Sequence, residues 1–324
     1  MTTRYLLASK SQVYWGAEGT AYTAASSITT PFGLIQGDID WPRANPKTPV
    51  AASGHRRAPY LYSADEYDLS FSISYQILGK EQPFACCVGP RSESNGTGYV
   101  GYDWTDESDS SDILSTISIR RDQKDTTLQE TYIGCKADLS LSARTGEPVV
   151  AALDIVAASR ESVTSGTPTY PTLTIPSVQP YRFWMLGAVT MADGLTKTIA
   201  TVNEFNLTWA NGLAARYHGG GRHAYSVVEE EVANRYDMTI GITVTDVDLY
   251  DAALDNKTGI DVTIPLFRDN ATTLTASKDA MAITLSDCDI LDAAIPTRES
   301  GDVQGDLVLA PKKTKIHIRE PTPA

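Results

Sequence analysis

Basic residues are in short supply along these 324 residues: 27 Lys and Arg stand against 40 Asp and Glu, a formal net charge of −13. A surface that grips nucleic acid by its phosphates needs clustered cations, so sequence-specific nucleic-acid recognition is excluded as a class. Cysteine is equally sparse. The four residues Cys86, Cys87, Cys135 and Cys288 include a vicinal pair and show no CxxC spacing, which excludes a disulfide framework or zinc cluster and leaves buried free thiols. No apolar run reaches the roughly 18 residues of a membrane span, and the apolar run after Arg4 is too short for a signal-peptide core. Strong helix-forming stretches are few, and no P-loop lysine or GxSxG elbow occurs.

The residues that could carry chemistry do not form a constellation. His218 and His223 flank Gly219–Gly221, at a spacing and in a glycine context that exclude a helical zinc motif. The letters of GxGxxG occur at Gly96–Gly101, but inside a Gly-, Ser- and acid-rich stretch with no strand before it and no helix after it. Asp246, Asp248 and Asp251, and then Asp287, Asp289 and Asp292, read as a helix start and a solvated strand face rather than a cation site. Catalysis is unsupported, and no cofactor or metal is implied.

What the sequence does have is alternation. Tyr67, Leu69, Phe71, Ile73 and Tyr75 alternate with Asp68, Ser70, Ser72 and Ser74, the period-two pattern of a strand with one buried face. The pattern recurs in Tyr236, Met238, Ile240, Ile242 and Val244, alternating with Asp237, Thr239, Gly241 and Thr243. Upstream of each is a partner strand: Ile35, Ile39 and Trp41 with Asp38 and Asp40 opposite, and Phe205, Leu207 and Trp209 with Asn206 and Thr208 opposite. Trp41 and Trp209 lie 168 positions apart, and Tyr67 and Tyr236 lie 169 apart. Two landmarks sharing nearly one offset imply an internal duplication.

Between the landmarks each copy carries a long excursion, "SGHRRAPY" in the first and "GGGRHAY" in the second. Downstream, "CKADLSLSA" parallels "MAITLSD", and a last strand follows at Ala151–Ala157 and at Gly305–Ala310. The first copy is longer (98 residues from Trp41 to Leu139, against 76 from Trp209 to Leu285), and composition places the extra segment at 89–112 as a surface loop. The expected organisation is an N-terminal arm 1–34, a first β domain 35–158, a Ser/Thr/Pro-rich linker and joining segment 159–202, a second β domain 203–318 and a tail 319–324. Thr245–Leu254 is the clearest helix candidate. The fold class is therefore all-β with short helices: a sandwich or open barrel, built twice.

Three stretches carry a resemblance. "IGCKADLSLSARTGEPVVAALDIVA", "FNLTWANGLAARYHGGGRHAYSVVEEEVANRYDMTIGITVTDVDLYDAAL" and the opening "YWGAEGTAYTAASSITTPFGLI" are similar, in order and texture, to the tail tube (major tail) proteins of long-tailed viruses. Members of that family form rings whose subunits pair strands into a continuous inner β-barrel, and the rings stack into a hollow tube that conducts the genome. With the usual six domains per ring, two domains per chain imply a homotrimeric, pseudo-hexameric ring. The resemblance also implies tail terminator, tape measure and distal tail proteins as partners, double-stranded DNA passing through without specific binding, no membrane, and a place in the virion tail after synthesis in the host cytoplasm.

The composition fits a conduit, because acidic walls repel phosphates whereas basic walls would hold them. Asp38, Asp40, Asp68, Asp138 and Asp237 are the candidates for the lumen or outer wall. The excursions, with Arg43, His55, Arg56, Arg57, Arg216, His218, Gly220, Arg222 and His223, are the candidates for contacts between stacked rings. The acid is built from 26 Asp against 14 Glu, which suits a halophilic setting and equally an acidic protein at ordinary salt. Two other readings stay open: another virion component of β-sandwich repeats (distal tail or head decoration), or a carbohydrate-binding adhesin using Tyr99, Tyr102 and Trp104.

Overall fold

The computed structural model describes residues 11–42, 47–50, 60–63, 67–106, 114–123, 128–144, 146–163, 179–186, 189–192, 196–199, 202–219, 221–230, 236–243, 259–268, 274–294 and 304–322. These residues are nearly all β, in antiparallel sheets, and helix among them is confined to a 3-10 turn at Phe84–Cys86. The helix candidate at 245–254 lies outside the described residues.

The first half contains β1 (Ser11–Ala17), β2 (Thr30–Pro31), β3 (Leu34–Gln36), β4 (Lys47–Val50), β5 (Tyr60–Ser63), β6 (Ser70–Gln76), β7 (Arg91–Gly96), β8 (Tyr99–Thr105), β9 (Ile117–Gln123), β10 (Leu128–Arg144), β11 (Val150–Val156) and β12 (Ser159–Val163). The second contains β13 (Arg182–Leu186), β14 (Val189–Ala192), β15 (Thr196–Ile199), β16 (Val202–Trp209), β17 (Leu213–Arg216), β18 (Ser226–Glu229), β19 (Tyr236–Thr243), β20 (Ile260–Phe267), β21 (Ala280–Ala294), β22 (Gln304–Ala310) and β23 (Lys313–Pro321).

One main sheet crosses both halves in the order β3–β6–β11–β10–β16–β19–β22–β21. Its first four strands come from the first half and its last four from the second, with the same connectivity in each. The flanking sheets repeat in the same way: β2–β1–β9–β10–β12 in the first half and β15–β14–β20–β21–β23 in the second. The long strands β10 and β21 each pass from a flanking sheet into the main one. Both change sheets next to a residue with positive φ, Gly134 at 68° and Asp287 at 54°. There the Gly134 amide donates to Glu18 Oε1 at 2.7 Å, and the Asp287 amide donates to Asp261 Oδ1 at 2.9 Å.

Alternation along the strands fills the space between main and flanking sheets. Leu139, Leu141 and Ala143 of β10 are buried while Ser140 and Ser142 turn the other way. A single apolar cluster runs from Phe71, Ile73 and Leu153 through Leu141, Leu207 and Trp209 to Ile240, Leu309 and Ile316. Each such side chain, fully removed from water, contributes about 1.5–3 kcal/mol. The halves are therefore not separate domains with separate cores; they share a sheet and a core.

Several expected boundaries move. The segment 89–112 is not a surface loop in its described part. β7 and β8 form a hairpin, and β8 pairs along its length with β23 of the second half, from Lys315↔Thr105 to Pro321↔Tyr99. The reason is alternation that composition hid: Tyr102 and Trp104 point inward and are buried, which also removes the aromatic platform an adhesin would need. The linker's first residues, Ser159–Val163, are β12, and the presumed tail begins inside β23. In the partner strand of the first copy only Leu34–Gln36 pair; Gly37, at φ 71°, ends the strand, so Asp38 and Asp40 lie beyond it.

Candidate functional site: a polar sheet face and two free edges

The main sheet turns one face away from the core, and that face is built from small hydroxyls and acids. Ser72 Oγ donates to Asp154, and Ser140 Oγ lies 3.1 Å from Asn206 Oδ1 across the β10–β16 joint. Thr208 and Thr239 continue the row. Two cations on this face of β10 are neutralised within the chain. Arg144 Nε donates to Glu204 Oε2 at 2.7 Å, and Lys136, buried, pairs with Glu229 of β18 at 3.0 Å.

The β10–β16 joint is the point where the two halves meet edge to edge, in register from Leu139↔Trp209 to Arg144↔Glu204. Asn211, two residues after the end of β16, clamps it. Its Nδ2 donates to the carbonyls of Ala137 and Cys87 at 2.8 and 2.9 Å, and its backbone amide donates to Asp138 Oδ1 at 2.6 Å. Burial pushes the Asp138 carboxyl above its usual range; the Asn211 amide opposes this, and the nearby Asp154 adds to it. Trp209 closes the joint from the core side, its Nε1 donating to the buried Thr314 Oγ1 at 2.6 Å.

The outer ends of the sheet are β3 and the Asp289–Ala294 part of β21, which pair only inward, with β6 and β22 respectively, among the described residues. Four large apolar side chains of the described residues are exposed, and three of them sit on these ends: Leu34 (40%), Ile35 (38%) and Leu291 (58%). An unpaired strand edge is a template on which another strand can pair.

The predicted residues are placed unevenly. Asp68 is exposed just before β6 and caps the Ser70 amide at 3.1 Å. Asp138 lies on the polar face but is half-buried under Asn211. Asp237 sits in β19 opposite Thr208. Arg43, His55, Arg56, Arg57 and Gly220 lie outside the described residues. Of the second excursion, Arg216 pairs with Glu230 at 2.7 Å, and the Arg222 carbonyl accepts the Tyr67 amide at 3.0 Å. The His223 ring lies 5.2 Å from that of Tyr67, and burial together with the Arg160 cation holds its imidazole below the usual range. His218 lies over Tyr225, ring centroids 5.7 Å apart. These groups are thus engaged by the chain itself. Asn211 and Glu18, which organise the joint and the β10 corner, carry no periodic signal; only the "NGL" after Trp209 hints at the first.

An apolar groove of about 480 Å³ is lined by Phe32, Leu78 and Pro321, and its Arg268–Asp279 pair, 2.7 Å apart, stacks against Tyr181 as a structural bridge. Among the described residues no group of three or more His, Cys, Asp or Glu could hold a metal ion, and no helix is long and apolar enough to cross a membrane.

Compared with known families, the chain matches the model described as phage tail tube protein over residues 16–309. The chain belongs to the phage tail tube family. A search among curated proteins returns no match. Family membership makes the chain a structural component of a virion tail, and the tube protein's main sheet, spanning both halves, lies almost wholly within the matched region.

Proposed function

We propose that this tube protein is a tandem duplication of one tube domain, and that three chains close into a pseudo-sixfold ring of a long-tailed virus. Stacked rings form the hollow tail that conducts double-stranded DNA during ejection. The observation that carries the reading is the order of the main sheet: two runs of four strands in the same connectivity, joined edge to edge at β10–β16, with both terminal edges unpaired among the described residues and carrying exposed apolar side chains. If the joint repeats between chains, β21 of one chain takes β3 of the next, and ring closure removes the last open edge.

Size supports three chains. Eight strands each give twenty-four. Spaced about 4.8 Å apart and tilted about 40°, they close at a backbone radius of about 24 Å, enough for a duplex to pass inside the side chains. The hydroxyl-rich face, with its cations already paired, suits a wall along which phosphates slide without being held. The role is mechanical rather than catalytic. The tail terminator, tape measure and distal tail proteins are the proposed partners at the ends of the tube, and the Asp-rich composition suits a halophilic host.

Electron microscopy of the purified protein in low and high salt tests this. Hollow tubes or rings with threefold symmetry and three chains per ring are expected. Persistent monomers at every salt and concentration would remove the tube reading, and isolated single rings without tubes would favour a distal-tail role.

A further inference from the structure

The excursions of the two halves are the same element in different company. β4 and β5 are four-residue strands separated by residues 51–59; β17 and β18 are four-residue strands separated by residues 217–225. Lys47↔Ser63 in the first pair stands where Leu213↔Glu229 stands in the second. β17–β18 folds across the internal joint onto the first half. Val227 and Ala224 pack on Ala158 and Val156, Tyr22 Oη donates to the Val227 carbonyl at 3.0 Å, and Glu229 meets Lys136. β4–β5, like β17–β18, is a two-stranded sheet that pairs with no other strand among the described residues.

Register identifies the matching surface on the second half. At the corners Cys135 pairs with Ile117 and Cys288 pairs with Ile260, so Lys136 and Asp289 occupy the same place. The next row agrees, with Ala137↔Ile155 against Ile290↔Leu309. The position of Val156 is then taken by Ala310, half-buried like it, but Asp289 is 37% exposed where Lys136 is 4%, and the exposed bulge residue Leu291 and the exposed Asp292 follow. The charges are exchanged. Inside the chain an acidic hairpin (Glu229) lies on a cation (Lys136); on the second half the sheet presents three acids, Asp287, Asp289 and Asp292, against the cation Lys312, 3.1 Å from Asp287 and 3.9 Å from Asp289, and β4 carries Lys47.

We propose that β4–β5 of one chain docks on the Asp289–Leu291–Ala310 corner of a second copy of this chain, with Lys47 and Ser63 against Asp289. This rests on the ring reading above, and it assigns the first excursion to contacts within a ring rather than between stacked rings. The exchanged charges make the two docking sites mutually exclusive: Lys47 would meet Lys136 on the wrong half.

Two experiments test it. D289K should lower the fraction of chains in rings about tenfold or more at low salt, and the double variant K47E/D289K should restore it. Independently, S63C/D289C should give disulfide-linked dimers and trimers on non-reducing gels of assembled material, since the native cysteines are all buried. Linked multimers together with charge rescue support the docking. Unimpaired assembly of D289K, or tubes of the double-cysteine variant that stay unlinked or link only within a chain, overturn it. The tube reading survives those results and falls only if wild-type chains form neither rings nor tubes.

Discussion

Replacing Asn211 with Ala should open the joint between the halves without disturbing either half's distant core. Asn211 is 3% exposed, and its amide group donates two hydrogen bonds, to Ala137 and Cys87, at 2.8 and 2.9 Å. Each bond contributes about 1 kcal/mol net, and a buried carbonyl left without a donor costs about 1–3 kcal/mol. Water can reach part of the site once the side chain is gone, so the lower end applies to each, and the sum is about 2 kcal/mol. A chain whose halves share a sheet need not unfold in two states, so the midpoint of a global melt is a poor gauge. Hydrogen exchange resolves the site. Amide protection in β10 and β16 should fall about 30-fold, the equivalent of about 2 kcal/mol, while β20 and β23 stay within about threefold. Asn206→Ala is the control: Asn206 lies on the adjoining strand but is exposed, and its partner Ser140 can turn to water. Equal losses in the two variants, or a uniform loss over the whole chain in Asn211→Ala, would refute the clamp.

Two further outcomes follow from the same geometry. Burial, with Asp154 nearby, raises the folded-state affinity of Asp138 for a proton, so its ionised form weakens the fold and stability declines as pH rises from the unfolded value through the folded one. Asp138→Asn keeps an oxygen for the Asn211 amide, so its melting temperature should exceed wild type at pH 7, with the advantage gone near or below about pH 4; a variant less stable at pH 7 would contradict this. Gly134→Ala combines a φ of 68° with a Cβ placed 2.5 Å from Tyr22 Cδ1 and 2.9 Å from Ala158. It should cost at least about 2 kcal/mol in thermal melts and expose β18 to exchange, because Tyr22 anchors Val227.

The sheet faces were legible because burial in strands has period two, and Phe71, Ile73, Leu207 and Ile240 all turn inward as their alternation requires. Register was not. The motif match sets Tyr67 against Tyr236, yet the pairings Phe71↔Ile155 and Met238↔Leu309, with Ala137 and Ile290 as the next neighbours, set Phe71 against Met238. A slip of two residues leaves every side chain on its own face, so alternation cannot detect it. "CKADLSLSA" and "MAITLSD" were mismatched for the same reason. β21 spends Ala280–Cys288 on β20, and only its later residues reach β22, as β10 does after Gly134. The hairpin at 91–105 was hidden by its glycine and acid content, although Tyr102 and Trp104 alternate correctly. For the site, the acidic candidates Asp38, Asp40 and Asp68 fall outside strands, where sequence patterning has no period to follow.

Duplication changes what a ring can specify. Six identical domains must use one joint six times, so any strengthening of that joint strengthens premature association of free chains as well. In the proposed trimeric ring half of the joints form within chains, where the partner is held at high effective concentration and needs no further affinity. The remaining joints can then diverge. The internal joint has settled on a buried Lys136–Glu229 pair, whereas the proposed external one sets acids on the sheet, exposed at Asp292 and partly so at Asp289, against a cation carried by the hairpin. An exposed charge pair adds little to resting affinity and more to encounter rate and choice of partner. On this reasoning free chains stay apart at dilution and close only in the alternating order of halves, because first half on first half brings Lys47 against Lys136 and second half on second half brings Glu229 against Asp289. Specificity of ring order then comes from repulsion in the wrong arrangements as much as from attraction in the right one.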